Sequence, residues 1–182
     1  MIKDEYRAIM RHQAGAVTVI ACGAAGQRAG LTATAVASLS DSPPTLLACV
    51  SRSSGAHDEI VRASAFSVNL LSEVQQSVAE LFAGKTGLSG EERFSGLAWR
   101  TMKTGSPILT EALACLDCEL AEQHTFQTHS IFIGRVVGGE FRADLKPLLY
   151  FRGDYWNLPA PGNGDAGNRE PSIAQDDDQC GA

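Results

Sequence analysis

The stretch GLTATAVASLSDSPPTLLACVSRSSGAH, residues 30–57, constrains the fold more than any other part of the chain. Two β-like runs, 31–39 and 45–50, flank a Ser-Asp-Ser-Pro-Pro corner, and Pro43 and Pro44 exclude helix there. In the first run Thr32 and Thr34 alternate with Ala33 and Ala35. Side chains alternate across a strand, so the two hydroxyls share one face and the two methyls the other. Such small side chains let a flat ligand lie close to the backbone. The second run ends in Ser51, Arg52, Ser53 and Ser54, a set of hydroxyls and one guanidinium at a helix start, where anions are favoured. We read the pair as a flavin cradle, with the ring over the first strand and the phosphate at the end of the second.

The rest of the chain supplies the frame. Residues 4–13 have helical spacing, with Tyr6, Ile9, Met10 and Gln13 on one side. Residues 16–22 (AVTVIAC) are β-branched and apolar, hence a strand. Gly23, Gly26 and Gly30 precede a strand rather than a helix, so they are hairpin glycines and not a dinucleotide fingerprint. Ser54 suits the N-cap of a helix over 56–63. A strand follows at 65–71, then a helix opened by a capping box at 72–75 and closed after Phe82 by Gly84. Residues 86–96 read as a surface loop, 98–102 as a short strand, and 105–107 as a turn. Strands are expected at 112–122, at 130–137 until Gly138-Gly139 breaks the run, with 140–142 as its continuation, and finally at 148–151. At least seven short strands and two or three short helices, without βαβ alternation, point to an antiparallel barrel. One domain over 1–157 is expected. From residue 158 proline, glycine and aspartate dominate, which predicts a disordered tail over 158–182.

Composition removes other classes. A net charge of −6 disfavours nucleic acid as the partner. No apolar run approaches the ~20 residues that span a membrane. The start Met1-Ile2-Lys3-Asp4-Glu5 lacks a signal-peptide core, so a cytoplasmic protein is expected. Of the five cysteines, Cys22, Cys49 and Cys115 sit in apolar β-like runs, and Cys115 and Cys118 point to opposite faces of a strand. Buried thiols are expected, with neither a metal site nor a redox pair.

Four further groups could carry chemistry. His57 follows the serine cluster, although a surface helix histidine is the plainer reading. Lys85, just past Gly84, could reach a phosphate as a point charge or simply complement the helix end. His129 opens a strand, where it could meet a nicotinamide or deliver a proton. Tyr150, Phe151, Arg152 and Tyr155 could cover a flat ring, or equally close the barrel or form a dimer contact. No metalloprotease, P-loop or nucleophile-elbow motif is present.

Taken in order, GLTATAVASLSDSPPTLL, SRSSGAH, FAGKTG, EERFSGLAW and HSIFIGRV resemble the short-chain flavin reductase family, the reductase components of two-component flavin monooxygenases. The resemblance covers residues 4–155, and FAGKTG with EERFS looks closest to the reductase partner of 4-hydroxyphenylacetate 3-monooxygenase and that of the pyrimidine-utilisation monooxygenase. It implies a mainly β, antiparallel Greek-key split β-barrel with a few short helices, assembled as a homodimer. It also implies that FMN or FAD is reduced by NADH, with NADPH the alternative, and delivered to a partner flavin-dependent monooxygenase. Carried over by motif, Thr32, Ala33, Thr34, Ala35 and Ser38 would line the ring and ribityl chain. Ser51, Ser53, Ser54 and Lys85 would hold the phosphate end, with Arg52 and His57 in the same cluster and Phe82 nearby. His129 and Tyr155, near Arg152, would shape the nicotinamide side. Many members carry asparagine where this chain has Ser51.

Overall fold

Strand β2 (Thr18–Cys22) is buried at every position and divides two cores. Its odd residues Val19 and Ala21 join one apolar cluster, and its even residues Ile20 and Cys22 join the other. That is the period of two expected of a strand covered on both sides. The computed structural model describes residues 1–159. Around β2 the chain runs α1 (Lys3–Met10), β1 (Gly15–Ala16), then after β2 β3 (Ala29–Ala33), β4 (Val36–Asp41), β5 (Pro44–Ser51), α2 (Gly55–Ala63), β6 (Ala65–Leu70) and α3 (Gln76–Phe82). A 3₁₀ turn (Gly90–Phe94) precedes β7 (Trp99–Thr101), β8 (Pro107–Leu109), β9 (Ala114–Phe126), β10 (His129–Phe141), β11 (Leu148–Phe151) and β12 (Asp154–Asn157).

The main sheet has seven strands in the order β3-β2-β6-β9-β10-β5-β4, and every pairing is antiparallel. Its two edge strands, β3 and β4, are consecutive in the chain. Only Thr34 and Ala35 separate them, a reach of at most ~11 Å. The sheet therefore has to curl until its edges stand side by side. The run expected as one strand over 31–39 is thus two strands on opposite edges, because closure requires the chain to leave β2 and join β5. At that break the Thr18 hydroxyl donates to the Ala33 carbonyl (2.9 Å), and the Cys49 amide donates to the Ala35 carbonyl (2.9 Å).

Inside the curl, Ile20, Leu46, Ala48, Val50, Phe66, Val68, Cys118 and Phe132 form one core, plugged by Ala56 and Ile60 of α2. Outside β2 and β6, Val17, Val19, Leu71, Val78, Phe82, Phe94 and Leu148 form the second core beneath α3. The outer face of β6 carries polar residues that are fully used. Asn69 accepts from the Leu109 amide (2.8 Å) and donates to the Val19 carbonyl (3.1 Å), while Ser67 donates to the Ala21 carbonyl (3.3 Å). The Asn69–Leu109 bond fastens β8 across the sheet, and β8 begins at Pro107, the last residue of the expected turn.

Three other expectations shift. Gly138 and Gly139 do not end β10; the strand runs on to Phe141 with a register shift between Val136 and Gly138. Helix α3 starts at Gln76 because the box at 72–75 is half made: the Gln75 side chain accepts from the Ser72 amide (2.9 Å), yet the buried Ser72 hydroxyl has no partner. Strand β12 extends past the last expected strand, paired with β11 through a turn in which Arg152 (φ 54°) and Gly153 (φ 91°) both have positive φ, the type I′ geometry of tight hairpins. Only Leu158 and Pro159 of the expected tail fall within the described residues. The cap at Ser54 is made, its side chain accepting from the Ala56 amide (3.3 Å). Ser54→Ala should lower stability by about 0.5–2 kcal/mol, read as a lower denaturant midpoint at constant slope.

Candidate functional site

Two clefts meet at the break between β3 and β4. The first, about 220 Å³, is lined by Val17, Thr32, Ala33, Thr34, Ala83, Lys85, Tyr150 and Tyr155. The second, about 490 Å³, opens into the end of the curled sheet between Thr18, Thr34, Val36, Ala37, Ser38, Ser40, Asp41, Thr45 and Leu46. Thr34 lines both. It is exposed, as is Ala35, and Thr32 and Ala33 are half-buried. The Thr-Ala-Thr-Ala segment is therefore open to a ligand.

The first cleft is built on α3. The Thr32 hydroxyl donates to the Ala79 carbonyl (2.6 Å), locking β3 against the helix. Phe82 packs over Gly30, where an added Cβ would come within 2.8 Å of its ring. Phe82 is 2 % exposed and meets Phe94 and Trp99 edge-on. It therefore supports the cleft from below and lines neither cleft itself. Gly84, at φ 79°, turns the chain out of the helix and presents Lys85. The loop beyond is pinned by Glu91, whose carboxylate accepts from the Arg28 amide (2.8 Å) and guanidinium (2.7 Å). That partner holds the Glu91 carboxyl below its usual range. The Lys85 ammonium lies 5.2 Å over the Tyr155 ring and 3.6 Å from the Glu80 carboxylate. Tyr155 meets Tyr150 edge-on at 5.5 Å. Burial, then the charges of Glu80 and Tyr150, push the Tyr155 phenol up, so it stays a neutral donor.

The serine cluster lies farther along β5. Ala35 bonds to Cys49, and Ser51 follows two residues later, about 7 Å on. Ser51 and Ser53 hydroxyls are 2.9 Å apart. The Arg52 guanidinium donates to the Gln127 carbonyl (3.2 Å), which ties it to the β9–β10 turn. His57 does not face a cleft. It is buried, with Nε2 2.9 Å from the Ser130 hydroxyl and Nδ1 2.7 Å from the Asp58 carboxylate. Ser130-His57-Asp58 has the order of a nucleophile triad, but Ser130 is 0 % exposed and also meets Thr125 (3.0 Å), so no substrate reaches it. His57 thus braces α2 against β10. His129 is exposed and pairs with Ser51 across the strands, so it stands beside the serine cluster and lines neither cleft. Arg152 sits in the β11–β12 turn with its guanidinium 5.1 Å over the Phe151 ring, directed at that residue rather than Tyr155.

The chain matches the Flavin reductase like domain over residues 10–159. It belongs to that family. It is 37 % identical over 167 residues to the FMN reductase (NADH) RutF of Methylorubrum populi, covering 92 % of this chain and 82 % of that protein. It is 40 % identical over 156 residues to the FMN reductase (NADH) RutF of Pantoea ananatis, covering 86 % and 81 %. Its fold is similar to that of BorF, the flavin reductase component of a bacterial two-component tryptophan halogenase. That likeness has a TM-score of 0.81 at 30 % identity and covers 88 % of this chain and all of the other.

The residues of this flavin reductase-like domain fit a flavin. The second cleft falls within the usual ~300–1,000 Å³ of ligand pockets. Its apolar walls and small Ala37 suit a ring, and hydroxyls at Thr34, Ser38 and Ser40 suit a polyol chain. Lys85 is the cation lining the first cleft. Val17 and Asp41 line the clefts without having been candidates in the sequence. Tyr150 was visible within the aromatic run, whereas Val17 and Asp41 carry no local signal of a cleft. Among the described residues no thiol lines either cleft, and burial pushes Cys22 and Cys118 up to about 12, so both stay protonated and unreactive at neutral pH.

Proposed function

We propose that this chain is an NADH-dependent flavin reductase that reduces FMN or FAD and hands the reduced flavin to a separate flavin-dependent monooxygenase. The observation that carries the reading is the pair of clefts joined at Thr34, with an ammonium on the rim of one and hydroxyls around the other. The relatives named FMN reductase (NADH) support it.

When bound, the two cofactors supply the chemistry, a hydride passing from nicotinamide to flavin. The protein's part is placement and charge. Thr32, Ala33, Thr34, Ala35 and Ser38 form the shelf for ring and side chain. Lys85 and the hydroxyls of Ser51 and Ser53 hold the phosphate end, by charge-assisted hydrogen bonds. Tyr150 and Tyr155 wall off the first cleft and exclude water from a ring lying there. Hydride transfer between the two cofactors needs no acid–base pair from the protein.

The curled seven-stranded sheet is read here as a split barrel, and the protein as a homodimer. The exposed face of β4, β5 and β10 carries Leu39, Leu47, Cys49, Ile131 and Ile133, with Phe126 at its end. A second copy covering that face is what would bring His129 to a nicotinamide, since His129 lines neither cleft of its own chain. The decisive experiment is NADH and NADPH oxidation by purified protein with added FMN or FAD, followed at the nicotinamide absorbance band. Turnover that saturates with free flavin and is faster with NADH is expected. Flavin that survives gel filtration without nicotinamide oxidation would overturn the proposal in favour of a retained-flavin protein.

A further inference from the structure

Lys85 does not stand alone at the rim of the first cleft. Its ammonium lies 3.6 Å from the Glu80 carboxylate, and its backbone amide donates to the Glu80 carbonyl (3.2 Å). Glu80 lies in the last turn of α3 and is itself held by Gln76, whose side chain donates to the same carboxylate oxygen at 3.3 Å. Glu80 is thereby paired with the one cation that lines the cleft among the described residues. Its charge also reaches across to Tyr155, where it is the second cause, after burial, of the raised phenol.

We propose that Glu80 is a release-tuning residue, an internal carboxylate that competes with the flavin phosphate for Lys85. The inference rests on the reading of Lys85 as a phosphate ligand. Two effects act in the same direction. Before a phosphate can be gripped, Lys85 has to leave Glu80. Once it has left, a partly exposed carboxylate faces a group carrying about −1.5 to −2 charges. Both weaken binding, and neither touches the ring. A reductase that passes its product to another protein is served by such a device, because a phosphate held without competition leaves slowly. The ion pair is surface-exposed, with Lys85 and Glu80 side chains 58 % and 37 % accessible, so the effect is moderate.

The test is FMN and riboflavin titration, by quenching of flavin fluorescence, of the parent protein, Glu80→Gln, Lys85→Ala and the double variant. Glutamine keeps an acceptor for Gln76 and removes only the charge. Glu80→Gln should bind FMN about two- to fivefold more tightly, the range of an exposed ion pair, with FMN dissociation slowed by a similar factor. Riboflavin, which has no phosphate, should bind as it does to the parent. In the Lys85→Ala background the same change should tighten FMN binding clearly less than it does in the parent, because only the repulsion remains to be removed. Unchanged or weaker FMN binding by Glu80→Gln, when Lys85→Ala weakens it, overturns the inference and leaves the phosphate assignment standing. Tightening of the same size without Lys85 overturns it as well, since the effect is then charge repulsion alone and not competition for Lys85. If Lys85→Ala binds FMN like the parent, the phosphate assignment itself falls, and this inference with it.

Discussion

Phe82→Ala should cost about 3–5 kcal/mol of stability, the range for truncating a buried aromatic. Phe82 is the pin between α3 and the main sheet. It is 2 % exposed, its ring centre lies 5.1 Å from that of Phe94 and 5.8 Å from that of Trp99, and it fills the space that Gly30 leaves open. Alanine removes the ring and leaves a cavity that Gly30 cannot fill. Against a total of about 5–15 kcal/mol for a domain, that is a large share. The measurement is chemical denaturation, in which the midpoint should fall with the slope unchanged. The same variant should also raise the KM for flavin, because Lys85 follows three residues later and depends on where α3 ends. A midpoint like the parent's would show that α3 is held by something other than this contact. Gly30→Ala presses on the contact from the other side, placing a methyl 2.8 Å from the ring and 3.0 Å from the Ile20 carbonyl.

The elements legible in the sequence were those whose signals are local. The β-branched run that forms β2, the serine cap of α2 and the glycine after α3 each specify their structure within a few residues. So does the small-residue segment around Thr34, whose openness follows from side-chain size alone. What was not legible depends on partners distant in the chain. The split of 31–39 is invisible locally, because Thr34 and Ala35 are ordinary strand residues; only closure of the sheet forces a break there. The same holds for Phe82 and His57. Both stand beside candidate ligand residues in sequence, which is why the family resemblance groups them with the cofactor site. Phe82 is drawn inward by Gly30, and His57 by Ser130 on a strand 73 residues away. Chain neighbours on a helix or strand face different sides, so adjacency to a functional residue says little about which side a side chain takes.

Lys85→Ala should weaken FMN binding by about 1–3 kcal/mol, the scale of a lost charge-assisted hydrogen bond. Its position sets which end of that range to expect. Lys85 is largely exposed and already paired with Glu80, so screening and competition reduce what a phosphate gains there. A value near 1 kcal/mol, or roughly fivefold in Kd, is the expected result. The ammonium also covers the face of Tyr155, so its removal exposes that ring, and a ligand whose ring lies against Tyr155 could gain area where its phosphate loses charge. Comparing FMN with riboflavin separates the two. A charge role predicts weaker FMN binding with riboflavin unchanged, and a smaller dependence of FMN affinity on salt. Equal loss for both ligands would assign Lys85 to packing of the cleft wall. FMN affinity equal to the parent's would remove it from the site and leave Ser51 and Ser53, some 7 Å beyond Cys49 along β5, as the place to look for the phosphate.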